Sequence, residues 1–201
     1  MKIRRTKRKL KTTMTVNIAC EGISEKAYIE NILKEYNLLT ANITITNLEG
    51  KGMLPFISYF EKNEKLYKVF IFVIDLDRAR QKDVELRNLN RLIDKLEKSN
   101  VKNNVFISNP DFEVFVSAAI GLGYEEIWET KYVKGNAAYK FIKDNGGSYE
   151  KAVDNLANKF YYEKRHVNKK GSKTKENLNI NHSNLVYFTD YMEELLEGRN
   201  I

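Results

Sequence analysis

The run Val69–Ile74 is apolar at every position and is followed at once by the acids Asp75 and Asp77. A short, continuously apolar run is typical of a strand that is buried on both faces of a parallel sheet. We therefore predict a strand over Tyr67–Ile74 with both acids at its carboxyl end. This longest apolar run is far shorter than the ~20 residues of a membrane helix, so we expect no membrane-spanning segment.

Three further β-prone runs alternate with amphipathic helical patterns. The other predicted strands are Thr15–Cys20, Asn42–Leu48 and Asn104–Ser108, and the predicted helices are Ser24–Tyr36, Leu54–Glu64, Asp83–Lys98 and Asp111–Ile120. Ser24 is expected to cap the first of these helices and Pro110 to open the last. Strict alternation predicts an α/β fold: a four-stranded, mainly parallel sheet in the order 2-1-3-4, with helices on both faces and right-handed crossovers.

The sequence divides into three parts. Residues 1–13 form a basic arm, residues 14–123 form the α/β core, and residues 124–201 are predicted to be a helical extension packed on that core. Within the extension, helices are predicted at Tyr149–Tyr162 and Asn184–Glu197. The polar stretch Glu163–Ser183 is predicted to be a mobile basic loop.

Charge is concentrated in the arm. The chain has 34 basic and 27 acidic residues, and the excess of seven equals the basic residues of positions 1–11. Such an arm favours salt-dependent binding to nucleic-acid phosphates, although a solvated tail that aids solubility is an equal alternative. The single cysteine excludes an intrachain disulfide and a cysteine-based zinc cluster, and no signal peptide is visible, so a cytoplasmic protein is predicted.

Acidic residues follow two strands that are neighbours in the predicted sheet. Glu21 ends the first strand, and Asp75 and Asp77 end the third. Ligands of open parallel sheets bind where the connections of neighbouring strands diverge, and strand alternation would point Asp75 and Asp77 to the same side. Carboxylates without histidine or cysteine favour Mg²⁺ or Mn²⁺ and therefore phosphate chemistry, with Glu21 as a general base. The alternative is that these acids are structural and cap the following helices.

The arrangement of these acids resembles the TOPRIM catalytic fold of topoisomerases, primases and several nucleases. More narrowly, the chain resembles the RloB family of bacterial phage-defence proteins over residues 16–196. The segments that carry this resemblance are CEGISEKAY (Cys20–Tyr28), VIDLDR (Val73–Arg78), SNPDFEVF (Ser108–Phe115) and NHSNLV (Asn181–Val186). The chain departs from the family pattern at Leu76, where an arginine is usual, and at His182, where a proline is usual.

The resemblance implies a Mg²⁺-dependent nuclease of the abortive-infection kind, with Glu21, Asp75 and Asp77 as its catalytic and metal-binding acids. It would bring Asn109, as a substrate contact, and Glu113, as a further metal ligand, to the same edge. Related TOPRIM effectors act with an ATPase partner and attack nucleic acid, including transfer RNA. No Walker-type glycine-rich loop is present in this chain, so ATP hydrolysis would have to come from such a partner.

Several other residues are candidates with plain structural alternatives. Arg78, Lys134 and Lys140 are candidate phosphate contacts, against solvated surface cations. Glu25 and Glu113 are each either a second metal ligand or a charge in the first turn of a helix. The segment Gly50–Gly52 is either a turn or a phosphate-binding bend. Two functions besides a nuclease remain open from sequence alone: a primase-like nucleotidyl transferase and a non-catalytic nucleic-acid-binding module.

Overall fold

One sheet organises the chain, and the computed structural model describes residues 14–130, 138–156 and 181–198. The predicted arm, Lys134 and the basic loop up to residue 180 lie outside the described residues. The strands are β1 (Val16–Cys20), β2 (Ile43–Asn47), β3 (Val69–Asp75), β4 (Lys102–Asn109) and β5 (His182–Ser183). They lie in the order β2-β1-β3-β4-β5, and β1 to β4 are parallel. The α/β class and the order of the four predicted strands are confirmed.

The predicted number of strands is wrong by one. The strand β5 pairs antiparallel with the end of β4, where Ser108 faces Ser183 and Asn109 faces His182. Its two residues fall in the stretch that was predicted to be a loop. Two polar residues show no alternation of apolar and polar side chains, so the sequence gives no sign of this strand. The strand forms by pairing with its neighbour rather than by burying an apolar face of its own.

The helices surround the sheet. They are α1 (Ile23–Glu35), α2 (Leu54–Asn63), α3 (Asp77–Gln81), α4 (Asp83–Lys98), α5 (Glu113–Ile120), α6 (Tyr124–Glu129), α7 (Ala138–Asp144), α8 (Tyr149–Leu156) and α9 (Phe188–Leu196), and a 3₁₀ helix (Asn184–Tyr187) precedes the last of these. Among them, α3, α6 and α7 were not predicted, since they are too short to show a clear apolar stripe. No helix in the described ranges is both long enough and apolar enough to cross a membrane.

Two predicted helix starts are wrong. The helix α1 begins at Ile23 behind an extended Gly22, so Ser24 lies inside the helix and does not cap it. The helix α5 begins at Glu113, and Pro110 lies in the turn before it. The Pro110 carbonyl accepts the Leu76 backbone N–H at 2.8 Å, which holds this turn against the end of β3.

Alternating residues of the strands fill two separate cores. Val16, Ile18, Val69 and Ile71 face a core that contains α1, α5, α8 and α9. Phe70, Phe72 and Ile74 face a second core that contains α2 and α4. The C-terminal helices therefore complete one of the two layers of the α/β core.

The C-terminal extension also closes one edge of the sheet. Beyond the short strand β5, the buried Asn184 side chain continues the pairing of β4: its Oδ1 accepts the Ile107 N–H at 2.6 Å and its Nδ2 donates to the Val105 carbonyl at 3.3 Å. A side-chain amide thus replaces a backbone neighbour at this edge.

We expect Asn184→Ala to lower the free energy of unfolding by about 1–3 kcal/mol, because it leaves two buried backbone groups of β4 without partners. Urea denaturation checks this value, with Asn100→Ala, at an exposed position after α4, as the matched control. An unchanged midpoint for Asn184→Ala would show that the β4 edge does not depend on this amide.

Candidate active site

Glu21 and Asp75 meet where β1 and β3 end. The Glu21 N–H donates to the Val73 carbonyl at 3.0 Å, which extends the β1–β3 ladder by one residue. In return, Oε2 of the Glu21 side chain accepts the Asp75 backbone N–H at 3.0 Å. The Glu21 carboxylate is buried by this arrangement. The predicted convergence of these two acids at the carboxyl edge of the sheet is therefore present.

Glu25 joins this pair from the first turn of α1. It is buried, and its carboxylate folds back over Gly22, where a Cβ atom would lie only 2.8 Å from the Glu25 Oε2. The Glu25 and Asp75 side chains are hydrogen-bonded to each other. Two carboxyl groups can share a hydrogen bond only when one of them carries a proton. Of the two sequence alternatives for Glu25, the structure places it within the acid cluster.

Burial and mutual repulsion raise the pKa values of these acids. The pKa of Glu21 is raised to about 7, first by burial and then by the charges of Asp77 and Glu25, while the hydrogen bond from Asp75 opposes the rise. The pKa of Asp75 is raised well above its usual value by burial, by Glu25 and Glu21, and by Asp111. The cluster therefore holds protons at neutral pH when no cation is bound.

Asp77 reaches the cluster from a helix. The strand ends at Asp75, and Asp77 is the first residue of α3, where its Oδ1 accepts the Arg78 N–H at 2.6 Å. The prediction that strand alternation orients Asp75 and Asp77 alike is therefore wrong. The charge of Asp77 nevertheless acts on Glu21, so it remains part of the site.

Asp111 is a member of the cluster that sequence reasoning missed. It follows the end of β4, its charge acts on Asp75, and its Oδ2 accepts the Tyr124 hydroxyl at 2.9 Å. The signal was available, because β4 neighbours β3 in the predicted sheet and Asp111 lies just beyond its carboxyl end. The contact from Tyr124 depends on α6, which the sequence did not predict.

Asn109 and Glu113 are both buried near this edge. Asn109 is the last residue of β4 and faces His182 of β5, and Glu113 is the first residue of α5. Burial lowers the pKa of His182 to about 4, so this imidazole is neutral at pH 7. The roles predicted for Asn109 as a substrate contact and for Glu113 as a metal ligand stay predictions.

The two described cationic candidates lie in different places. The Arg78 guanidinium donates to the Gly50 carbonyl at 2.5 Å, and its charge opposes the rise in the pKa of Glu21. Lys140 is exposed on α7, whose residues Tyr139 and Lys143 contact Glu35 at the opposite end of α1 from Glu25. The structure thus brings Arg78 to the acids, and Lys140 lies beside the distal part of α1.

The carboxylate oxygens of the acid cluster are suitable ligands for a hard cation, although the side chains are not arranged around one. In the described part of the chain, no three side chains of His, Cys, Asp or Glu are grouped as a ready metal site. The donors of the cluster are all carboxylate oxygens, and the buried Asp75 Oδ1 has no hydrogen-bond partner among the described residues. Mg²⁺ prefers oxygen ligands, so the residues fit such an ion after the Glu25–Asp75 hydrogen bond opens.

A cleft of about 480 Å³ lies elsewhere, between the C-terminal ends of α2 and α4. It is lined by Ile57, Glu64, Arg91, Asp94, Lys95, Lys98 and Ser99. Because these helix ends lie at the amino-terminal edge of the sheet, the cleft is remote from the acids. Its mixed charges resemble an ordinary helix surface, so the acid cluster is the stronger candidate site.

Comparison with known proteins adds no assignment: no family model, no curated protein and no solved structure matches this chain.

The raised pKa of Glu21 predicts a pH dependence of stability. A carboxyl group whose pKa rises from 4.5 to about 7 on folding stabilises the folded state below pH 4.5, and this contribution is lost as the pH rises to about 7. The loss is about 3 kcal/mol in metal-free protein.

We therefore compare the free energies of unfolding of Glu21→Gln and wild type. The value for Glu21→Gln minus the value for wild type should be about 2 kcal/mol larger at pH 8 than at pH 5. Urea denaturation in EDTA at both pH values measures this gap, with the exposed Glu125→Gln as the matched control. A gap that is independent of pH would contradict the raised pKa of Glu21.

Proposed function

We propose that this protein is a Mg²⁺-dependent nuclease with a TOPRIM-like core, related to the RloB proteins of bacterial anti-phage defence. The observation that carries the proposal is the meeting of Glu21, Glu25 and Asp75 between the ends of β1 and β3. This is the edge at which ligands of open parallel sheets bind. The proposed substrate is nucleic acid, either RNA such as transfer RNA or DNA.

Glu21, Asp75 and Asp77 would hold the metal, with Glu25 and Glu113 as further candidate ligands. When bound, Mg²⁺ (or Mn²⁺) polarises a phosphoryl oxygen and neutralises charge that develops on it. Asp75 supports this role because its Oδ1 is buried without a hydrogen-bond partner in the described ranges. Neutralising the cluster would also remove the repulsion that raises its pKa values.

Glu21 is suited to move a proton. In the metal-free protein its pKa of about 7 lets it exchange a proton near neutral pH, and a bound cation would favour the ionised form that a general base requires. Its Oε2 is fixed by the Asp75 N–H, so the other oxygen is the one available to accept a proton from water. Arg78 supplies positive charge beside it. A cytoplasmic location, expected from the sequence, and an ATPase partner, implied by the resemblance to TOPRIM effectors, belong to this proposal.

We expect wild-type protein to cleave at least one member of a panel of transfer RNA, single-stranded DNA and duplex DNA in Mg²⁺ or Mn²⁺, and none in EDTA. Asp75→Asn should lower the cleavage rate about 10²-fold or more, because it removes a metal ligand while keeping the side-chain shape. Labelled substrates on denaturing gels measure the rates, and Asp154→Asn on the exposed face of α8 is the matched control.

Other results of this panel would point elsewhere. Cleavage that persists in EDTA, or that is equal in wild type and Asp75→Asn, would contradict the proposal. Primer extension with nucleoside triphosphates would identify a nucleotidyl transferase. Nucleic-acid binding without cleavage, lost on deletion of residues 1–11, would identify a binding module, provided that addition of a candidate ATPase does not start cleavage.

Metal binding can be tested without substrate. At pH 8, Mg²⁺ at about 100 times its dissociation constant should stabilise the folded wild type by about 2.7 kcal/mol. Thermal denaturation with and without Mg²⁺ detects this as a raised Tm, and Asp75→Asn should lose the increase. Equal shifts in both proteins would show that the ion binds outside the acid cluster.

A further inference from the structure

The loop between β2 and α2 is held by three hydrogen bonds, one of which is to Glu21 of the acid cluster. The Gly50 N–H donates to the Glu21 carbonyl at 2.7 Å. The Gly50 carbonyl accepts from the Arg78 guanidinium at 2.5 Å. At the end of the loop, the Met53 N–H donates to Oε2 of Glu85 at 2.8 Å. The segment Glu49–Gly52 therefore lies beside Glu21, held by Gly50 contacts to Glu21 and α3, and the following residue, Met53, is held by α4.

The backbone of this loop adopts conformations that side chains disfavour. Glu49 has a φ of 64°, Gly50 of 63° and Gly52 of 85°. A residue other than glycine in the left-handed region is uncommon, and such positions cluster at ligand-binding sites. A Cβ at Gly52 would lie 2.8 Å from the end of the flexible Glu85 side chain, which can move aside, so the positive φ rather than space favours glycine there. The loop is therefore fixed in one shape by its surroundings.

Lys51 is the cation that this fixed loop presents. Its Nζ lies 2.6 Å from Oε2 of Glu49, and the two side chains are 68% and 67% exposed. An ion pair so open to water contributes little to stability, so Lys51 can exchange Glu49 for another anion at low cost. A phosphodiester strand that approaches the acid cluster is repelled by it and needs positive charge close by.

Apolar side chains around the loop favour a nucleic-acid strand over a free phosphate. Ile23 is 52% exposed, Leu54 is 50% exposed and Val84 is 48% exposed. They are the first residues of α1 and α2 and the second residue of α4, so all three lie at the same edge of the sheet as the acids. Sugars and bases offer apolar surface that such side chains can cover, whereas inorganic phosphate does not.

We propose that the loop Glu49–Gly52 binds the sugar–phosphate backbone of the substrate strand, with Lys51 contacting a phosphate next to the one that is cleaved. Arg78, a candidate substrate contact from the sequence, acts here as a positioning residue that fixes Gly50 and so places Lys51. This inference rests on the proposed function, because the nucleic-acid strand that it names is the proposed substrate. Its test is a binding measurement that needs no cleavage.

The experiment measures binding of labelled single-stranded DNA and RNA 12-mers by fluorescence anisotropy in EDTA, from 50 to 300 mM NaCl. Lys51→Gln should weaken binding about tenfold and reduce the slope of log affinity against log salt by about 0.7, as expected for one lost phosphate contact on a single strand. Lys51→Arg should keep the slope. Lys65→Gln, an exposed lysine at the opposite edge of the sheet, is the matched control.

Arg78 is tested by a double-mutant cycle. Arg78→Ala should weaken binding, and adding Lys51→Gln to it should weaken binding further by less than twofold, because Lys51 is already displaced. In Mg²⁺, Lys51→Gln should raise KM several-fold with little change in kcat. Independent effects of the two substitutions would show that Arg78 does not position Lys51.

The inference and the proposed function fail in different ways. If Lys51→Gln keeps the wild-type salt slope, the loop does not bind phosphate, whether or not the protein cleaves. The proposed contact with a nucleic-acid strand is contradicted if wild type binds neither 12-mer. It is also contradicted if 10 mM inorganic phosphate displaces both 12-mers completely at constant ionic strength. If the slope changes as expected but no cleavage is found either with or without a candidate ATPase, the loop binds nucleic acid in a protein that is not a nuclease.

Discussion

The hydrogen bond from the Asp75 N–H to the Glu21 carboxylate is the contact on which the candidate site depends. It joins the ends of β1 and β3 and fixes one carboxylate oxygen at a buried edge. A backbone N–H favours the ionised form of Glu21, but burial and the neighbouring acids outweigh it and raise the pKa to about 7. The fold thus concentrates negative charge at one point and keeps it partly neutralised by protons.

The C-terminal extension is a structural part of this edge. It supplies β5, which pairs with Asn109, and the Asn184 amide, which continues the β4 edge. It also supplies Tyr124, whose hydroxyl binds Asp111 beside Asp75. Residues far along the sequence therefore close the sheet next to the acids. This explains why the apolar pattern of residues 14–123 alone describes the sheet incompletely.

The parts of the fold that sequence predicted are those set by local pattern. The apolar runs gave β1 to β4, and the rule that ligands bind at carboxyl ends of parallel strands brought Glu21 and Asp75 together. The missed parts depend on contacts between distant segments. The pairing of β5, the Glu25–Asp75 hydrogen bond and the binding of Arg78 to Gly50 leave no periodic signal in the sequence. Asp77 lies near the site for a reason other than the predicted one, because it begins a short helix and does not continue the strand.

The acid cluster lowers stability at neutral pH, which argues that it serves a function. Ionising Glu21 in the folded state is costly, and the buried Asp75 Oδ1 gains no hydrogen bond among the described residues. Neutral residues of similar shape would avoid both costs. Residues that lower stability in this way are common at sites whose chemistry conflicts with stability. The strained Glu49 backbone beside Glu21 adds to the same cost. Cation binding would offset the charge repulsion, and a role of the loop in binding nucleic acid would account for the unfavourable φ of Glu49, so each proposal explains a feature that lowers stability.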